Sequence, residues 1–249
     1  MGKRELPFVT LLTLALLLGC VGNNVITGDG DIETHSLYFS NFNNRVILDV
    51  DSSVVISQGA PSVKITCESN NLRDFVIDTV NGVLSIHQIR DYEYIVDSCK
   101  IAITLPNIDT IEIINGSVKT SIEPTLIKSI TLRGSASLDA NIVHTDTLDI
   151  NLFDSSHLTI RGEATVLNYR HNSSSNQNID SLITAYANIN IYSPNPSNIT
   201  TTNEVRGKLE SSNNLTLLWK TPIVHVECSG GSEVVYDSLA LVDTSDIEN

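Results

Sequence analysis

The stretch Leu148-Asp149-Ile150-Asn151-Leu152-Phe153-Asp154-Ser155-Ser156-His157-Leu158-Thr159-Ile160 decides the fold. Apolar residues hold every second position from Leu148 to Leu152, a small polar tip follows, and a second short alternation starts at Leu158. Successive strand side chains point to opposite faces, so Leu148, Ile150 and Leu152 share one face. The same unit recurs as Ile111-Glu-Ile113, Ile130-Thr-Leu132, Leu167-Asn-Tyr169 and Ala187-Asn-Ile189-Asn-Ile191. It continues as Val205-Arg-Gly207-Lys-Leu209 and Val224-His-Val226-Glu-Cys228. The tips begin near Gly116, Gly134, Asp154, Ser173, Ser193, Ser211 and Gly230, a spacing of roughly 18 to 20 residues.

A period of that length suits one coil of short strands joined by corners. The spacing therefore predicts an all-β, right-handed β-helix-like solenoid with coils of about 19 residues. Seven or eight coils stacked about 4.8 Å apart would make a rod roughly 35 to 40 Å long. A β-sandwich would show turn signals about every 8 to 12 residues and no fixed tip chemistry. Gly, Ser, Asn and Asp suit tight corners because they tolerate left-handed backbone or bond their own main chain. Upstream, Val46–Ser57, Val63–Glu68, Phe75–Gln88 and Lys100–Leu105 are longer and read as an N-terminal β cap on the first coil. Asn81-Gly82 between Val80 and Val83 signals a two-residue hairpin.

The first 20 residues carry a different message. Lys3 and Arg4 precede an apolar stretch from Leu6 to Leu18, too short to cross a bilayer but suited to a signal peptide. It ends in Leu17-Leu18-Gly19-Cys20, which resembles a bacterial lipobox. That resemblance implies cleavage before Cys20, a diacylglyceryl thioether on its sulfur and acylation of the new N-terminus. Several acyl chains anchor stably where one does not. Val21 follows the cysteine, which suits sorting to the outer membrane; the face it occupies there stays open. The expected organisation is a leader over 1–19, a tether over 20–26, one solenoid domain over 27–236 and an acidic, disordered tail over 237–249.

A net charge of −14 argues against nucleic acid, which needs clustered Lys and Arg. It also argues against adhesion to anionic headgroups by charge alone. No second long apolar stretch follows the leader, so the body is expected to be soluble. Of the three cysteines that remain, Cys67 and Cys99 lie in neighbouring alternating segments and are the candidate disulfide. The alternative is three inert buried thiols, Cys228 included.

Leu48-Asp-Val50-Asp-Ser52-Ser53-Val-Val-Ile56-Ser-Gln58-Gly59 resembles the opening motif of the putative auto-transporter adhesin, head GIN domain family. Asn70-Asn71-Leu72, Asn81-Gly-Val-Leu84 and Ile101-Ala-Ile-Thr-Leu105-Pro106 fall in that family's order. Gly134-Ser-Ala-Ser-Leu138 and Gly230-Gly-Ser-Glu-Val234 resemble its repeated tips. The likeness spans about Thr27 to Tyr236. Asp154-Ser-Ser-His157, Ser173-Ser-Ser-Asn176 and Ser193-Pro-Asn-Pro196 lack the family's glycines. The resemblance implies a right-handed β-helix-like fold on an exported or lipid-anchored protein.

Several groups could carry chemistry. Asp139, Asp149 and Asp154 could meet across coils, as the carboxylates of polysaccharide-cleaving β-helices do, although basic partners are sparse. Asp154, His157 and Ser173 could form a nucleophilic triad, but no nucleophile-elbow motif accompanies them. His144, His157 and His171 lack zinc-site spacing, and no CxxC pair exists, so no metal and no cofactor is expected. Asp29-Gly30-Asp31 with Glu33 lacks the remaining ligands of a calcium loop. Asn172, Asn198 and Asn214 head glycosylation sequons that suit corners as well. Trp219 and Tyr192 could offer a sugar-stacking face or pack at the rim.

The expectation is a non-enzymatic, lipid-anchored envelope protein whose solenoid surface binds a glycan or a partner protein. The alternatives are a polysaccharide lyase or hydrolase on a β-helix, and a self-associating structural protein.

Overall fold

The structure is a computed structural model. Its described residues are 25–26, 28–89, 93–94, 99–120, 127–142, 144–174, 177–210, 214–219 and 221–237. The leader, Cys20, most of the tether, the tip at Ser211 and the tail beyond Asp237 lie outside them.

The strands in chain order are β1 (Val25–Ile26), β2 (Ile32–Tyr38), β3 (Arg45–Gln58), β4 (Ser62–Glu68), β5 (Phe75–Asp78) and β6 (Val83–Gln88). Next come β7 (Glu93–Tyr94), β8 (Lys100–Leu105), β9 (Thr110–Thr120), β10 (Ser129–Leu132), β11 (Ser137–Asn141) and β12 (Thr145–Asp154). The last are β13 (His157–Ser173), β14 (Leu182–Ile191), β15 (Ser197–Glu210), β16 (Asn214–Leu217), β17 (Ile223–Ser229) and β18 (Glu233–Tyr236). From β9 onward every pairing is parallel. This is the expected β-solenoid, with about six turns rather than seven or eight.

Parallel register lines up the alternating apolar residues as ladders. Val46, Ile111, Ile130, Ile150, Tyr169, Ile189, Gly207 and Val226 form one inward row. Leu48, Ile113, Leu132, Leu152, His171, Ile191, Leu209 and Cys228 form the next. Val54, Val118, Leu138 and Leu158 fill the opposite wall. Nearly all these aliphatic side chains are fully buried, each worth about 1.5–3 kcal/mol relative to exposure. The last coil is the exception, with Val224 and Val226 only half-buried and Cys228 exposed.

The tips stack through main-chain hydrogen bonds and the Asp154 carboxylate. Gly134 N–H donates to Asp154 Oδ2 at 2.9 Å, Ser155 N–H to the Gly134 carbonyl at 3.0 Å, and Ser174 N–H to the Asp154 carbonyl at 2.8 Å. β13 and β15 turn corners without losing their parallel partners, so each runs as one long strand.

At the N-terminal end β8 lies parallel to β3, while β4 pairs antiparallel with both β8 and β2. The cap is thus β2, β4, β8 and the β5–β6 pair, with β6 lying parallel to the first part of β3, and β3 is already a rung of the solenoid, parallel to β9. β5 and β6 form the expected hairpin. Within the four-residue connection 79–82, Asn81 (φ 53°) and Gly82 (φ 76°) have the two successive positive φ angles that a type I′ turn demands.

Candidate functional site

The residues between the inward ladder positions face outward and make rows of their own. Ser129, Asp149, Asn168, Asn188, Arg206 and His225 form one. Glu112, Thr131, Asn151, Arg170, Asn190, Lys208 and Glu227 form the next. Together they pave one long face of the solenoid with amides and charges.

The amides are already ordered. Asn168 Nδ2 donates to Asp149 Oδ1 at 2.7 Å, and Asn188 Nδ2 donates to Asn168 Oδ1 at 2.8 Å. Such ladders arise wherever identical side chains stack on parallel rungs. Beside them Phe153 lies between two guanidinium groups, Arg133 at 4.4 Å and Arg170 at 5.4 Å from its ring centre. Most cations here have carboxylate partners. Glu112 takes Arg45 at 3.4 Å and Arg133 at 3.8 Å, Glu227 takes Lys208 at 3.5 Å, and both oxygens of Glu204 take Arg206 at 2.7 Å. The Glu204 hydrogen bonds and charge raise the Arg206 pKa further. Arg170 forms no ion pair with a described residue. It lines a concavity of about 340 Å³ together with Asp149, Asn151, Asn168, Asn188 and Asn190.

The residues singled out from the sequence are scattered. Asp149 sits in the amide ladder, Asp139 on β11 pairs with Arg161 at 2.8 Å, and Asp154 caps a tip. These three carboxylates serve three separate structural contacts and make no common cluster. The buried Ser173 hydroxyl donates to the Ser156 carbonyl at 2.9 Å, while His157 is exposed at the start of β13. His144 is on the surface, 3.9 Å from Glu163. His171 is fully buried in the ladder, its ring 5.6 Å from that of Tyr169 and its Nδ1 3.1 Å from Ser197 Oγ. Among the described residues, no three His, Cys, Asp or Glu side chains gather around a point.

Asp29 accepts hydrogen bonds from Ser69 Oγ at 2.5 Å and Asp31 N–H at 3.1 Å, so this acidic loop ties the chain to the end of β4. The Ser69 bond lowers the Asp29 pKa. Asn172 and Asn214 are exposed, and Asn198 contacts Asp180 at 3.4 Å. Tyr192 and Trp219 are both exposed, each just beyond the end of its strand, β14 and β16.

The structure does bring Cys67 and Cys99 together. Both are buried thiols, on β4 and just before the adjacent antiparallel β8, one step beyond the Thr66–Lys100 pair. Burial pushes both pKa values up, which keeps them protonated. Cys228 is an exposed thiol. No described helix is long and apolar enough to cross a membrane.

A family model described as putative auto-transporter adhesin, head GIN domain matches residues 41–218. No curated protein matches the chain. Among solved structures, a putative adhesin from Bacteroides fragilis aligns with a TM-score of 0.76 at 11% identity, covering 85% of this chain and 100% of that one. A putative adhesin from Parabacteroides distasonis gives 0.65 at 16% identity, over 86% of this chain and 100% of that one. A putative lipid binding protein from the same species gives 0.64 at 17% identity, over 85% and 99%. At such identities the likeness is one of fold. The family's description and a solenoid fit a non-enzymatic adhesion role at the cell surface or envelope. The chain belongs to the putative auto-transporter adhesin, head GIN domain family.

Proposed function

We propose that this chain is a non-enzymatic adhesion module of the cell envelope, anchored in the outer membrane through lipid on Cys20 and binding its partner with the long face. The observation that carries this reading is the pair of continuous outward rows from Glu112 to Glu227 and from Ser129 to His225. An uninterrupted polar strip along a solenoid suits an extended ligand. The separate engagements of Asp139, Asp149 and Asp154 count against the polysaccharide-cleaving alternative.

Cells displaying the chain should attach to a glycan-coated or cell-coated surface, and a double Asn168→Ala, Asn188→Ala variant displayed at equal level should attach several-fold less. Equal attachment by both would overturn the role of the face. Release of reducing ends from envelope polysaccharide, abolished by Asp149→Ala, would overturn the non-enzymatic reading. For the anchor, Cys20→Ser should end palmitate labelling and move the chain from the detergent phase to the aqueous phase. Retention of label or of detergent partitioning in that variant would show that Cys20 is not the anchor. The sense of the expected change follows from acyl chains contributing about 0.8 kcal/mol per buried CH₂.

A further inference from the structure

We infer that the long face takes an extended acidic glycan, with a sugar carboxylate seated on Arg170; this rests on the proposed adhesive role of that face. On a chain of net charge −14, a cation in a polar hollow with no carboxylate partner among the described residues marks where an anion is wanted. Arg170 is that cation. Phe153 makes a cation–π contact with its guanidinium, 5.4 Å from the ring centre, and a guanidinium can recognise a carboxylate through two parallel N–H groups.

The rest of the hollow speaks for a sugar chain rather than a peptide. Asn151, Asn168, Asn188 and Asn190 supply amide donors and acceptors suited to hydroxyl groups, and the one carboxylate that lines the hollow, Asp149, accepts from Asn168 at 2.7 Å. The strands beneath, β10 and β12 to β15, are all paired on both sides, so no free edge is offered for a peptide strand. Rungs repeat every 4.8 Å or so, close to the length of one pyranose in a chain, so successive sugars meet successive rungs. The negative charge of the whole protein opposes long-range steering of such a ligand. Selection therefore comes from the short-range Arg170 contact.

The test is binding of the full-length chain, in non-ionic detergent, to polygalacturonate and alginate with neutral dextran beside them. Both acidic glycans should bind and dextran should not. Arg170→Gln should weaken binding at least 10-fold, with Arg170→Lys intermediate and the melting temperature of each variant unchanged. Equal binding by wild type and Arg170→Gln overturns the inference, and so does dextran binding as well as polygalacturonate. If both glycan classes bind alike and both are lost in Asn168→Ala, Asn188→Ala, the charge assignment falls and the adhesive face stands. If no glycan binds, the inference falls, and attachment of displaying cells to a cell-coated surface decides the proposed function separately.

A second inference rests on register alone. β4 and β8 pair antiparallel with Thr66 opposite Lys100, and one further step places Cys67 opposite Cys99. Both are nearly inaccessible, at 5% and 4% exposure. We propose that in the exported chain these thiols are joined as a cross-strand disulfide. The Cys67 Sγ–Cys99 Sγ bond forms as both S–H bonds break; two electrons and two protons pass to a disulfide-bearing oxidant, which leaves as two thiols. Chain recovered from the envelope, alkylated without reductant and digested, should yield the Cys67 and Cys99 peptides as one linked species. Reduction should separate them and lower the melting temperature by several °C. Recovery of both cysteines in alkylated form before reduction would overturn the pairing.

Discussion

Gly207→Ala is expected to lower the melting temperature by about 10 °C, a loss of roughly 3–5 kcal/mol. Two costs add at this position. Its φ of +136° is one that L side chains rarely adopt, and a Cβ there would lie 1.9 Å from the Ile189 carbonyl oxygen. The same Cβ would be 2.9 Å from the Ile189 carbon and nitrogen. That neighbour is main chain in β14, held by pairing to β13 and β15, so it cannot withdraw without breaking rungs. Gly231→Ala separates the two costs. Gly231 has φ +87°, and a methyl group added there would meet nothing within 4 Å, so only the conformational cost of about 1 kcal/mol applies. Urea or thermal unfolding of both variants checks the contrast. Equal losses would mean that close approach between coils contributes nothing at Gly207.

Ile150→Asp is expected to abolish cooperative folding. Ile150 is completely buried, between Ile130 and Tyr169 in the inward ladder. A carboxylate there would lose its hydration beside apolar and aromatic side chains, a penalty of several kcal/mol even after it takes up a proton. Domain stability is only about 5–15 kcal/mol, and the lost aliphatic contacts add to the cost. Asp149→Asn, one residue away but outward, should change stability by less than about 1 kcal/mol, because the new amide oxygen can still accept from Asn168. Circular dichroism melts read both. A folded Ile150→Asp chain with a near-normal melt would show that position 150 is not core.

This contrast between neighbouring residues explains what could be read in advance. Alternation assigned Leu148, Ile150 and Leu152 to the interior, and the spacing of Gly134, Asp154 and Ser193 located corners, because a 19-residue coil forces both patterns at once. Asn81-Gly82 was legible because its turn needs positive φ at two successive residues, which that pair tolerates. The antiparallel cap was not, since strands of similar composition can pair in either direction. For His171, the parity of Leu167, Tyr169 and His171 already pointed inward, and its spacing from His144 and His157 did not suit a zinc site. Asn168, Arg170, Asn188 and Asn190 are the polar residues between apolar ones, and stacking turns those spacers into a surface. The groove came from register, and register depends on corner lengths that composition does not set.

The parallel register has a further consequence, for how such a protein can change length. Ser129, Asp149, Asn168, Asn188, Arg206 and His225 occupy equivalent places on successive rungs. Removing one whole turn, such as 149–167, would leave each remaining rung a neighbour of the same kind. Removing half a turn would place a corner against a strand. Corners and bulges take up one or two residues, as the 18-to-20-residue spacing shows, but a change in the number of rungs comes in whole turns, each altering the reach of the molecule by about 4.8 Å. The fold acts as a ruler with fixed divisions.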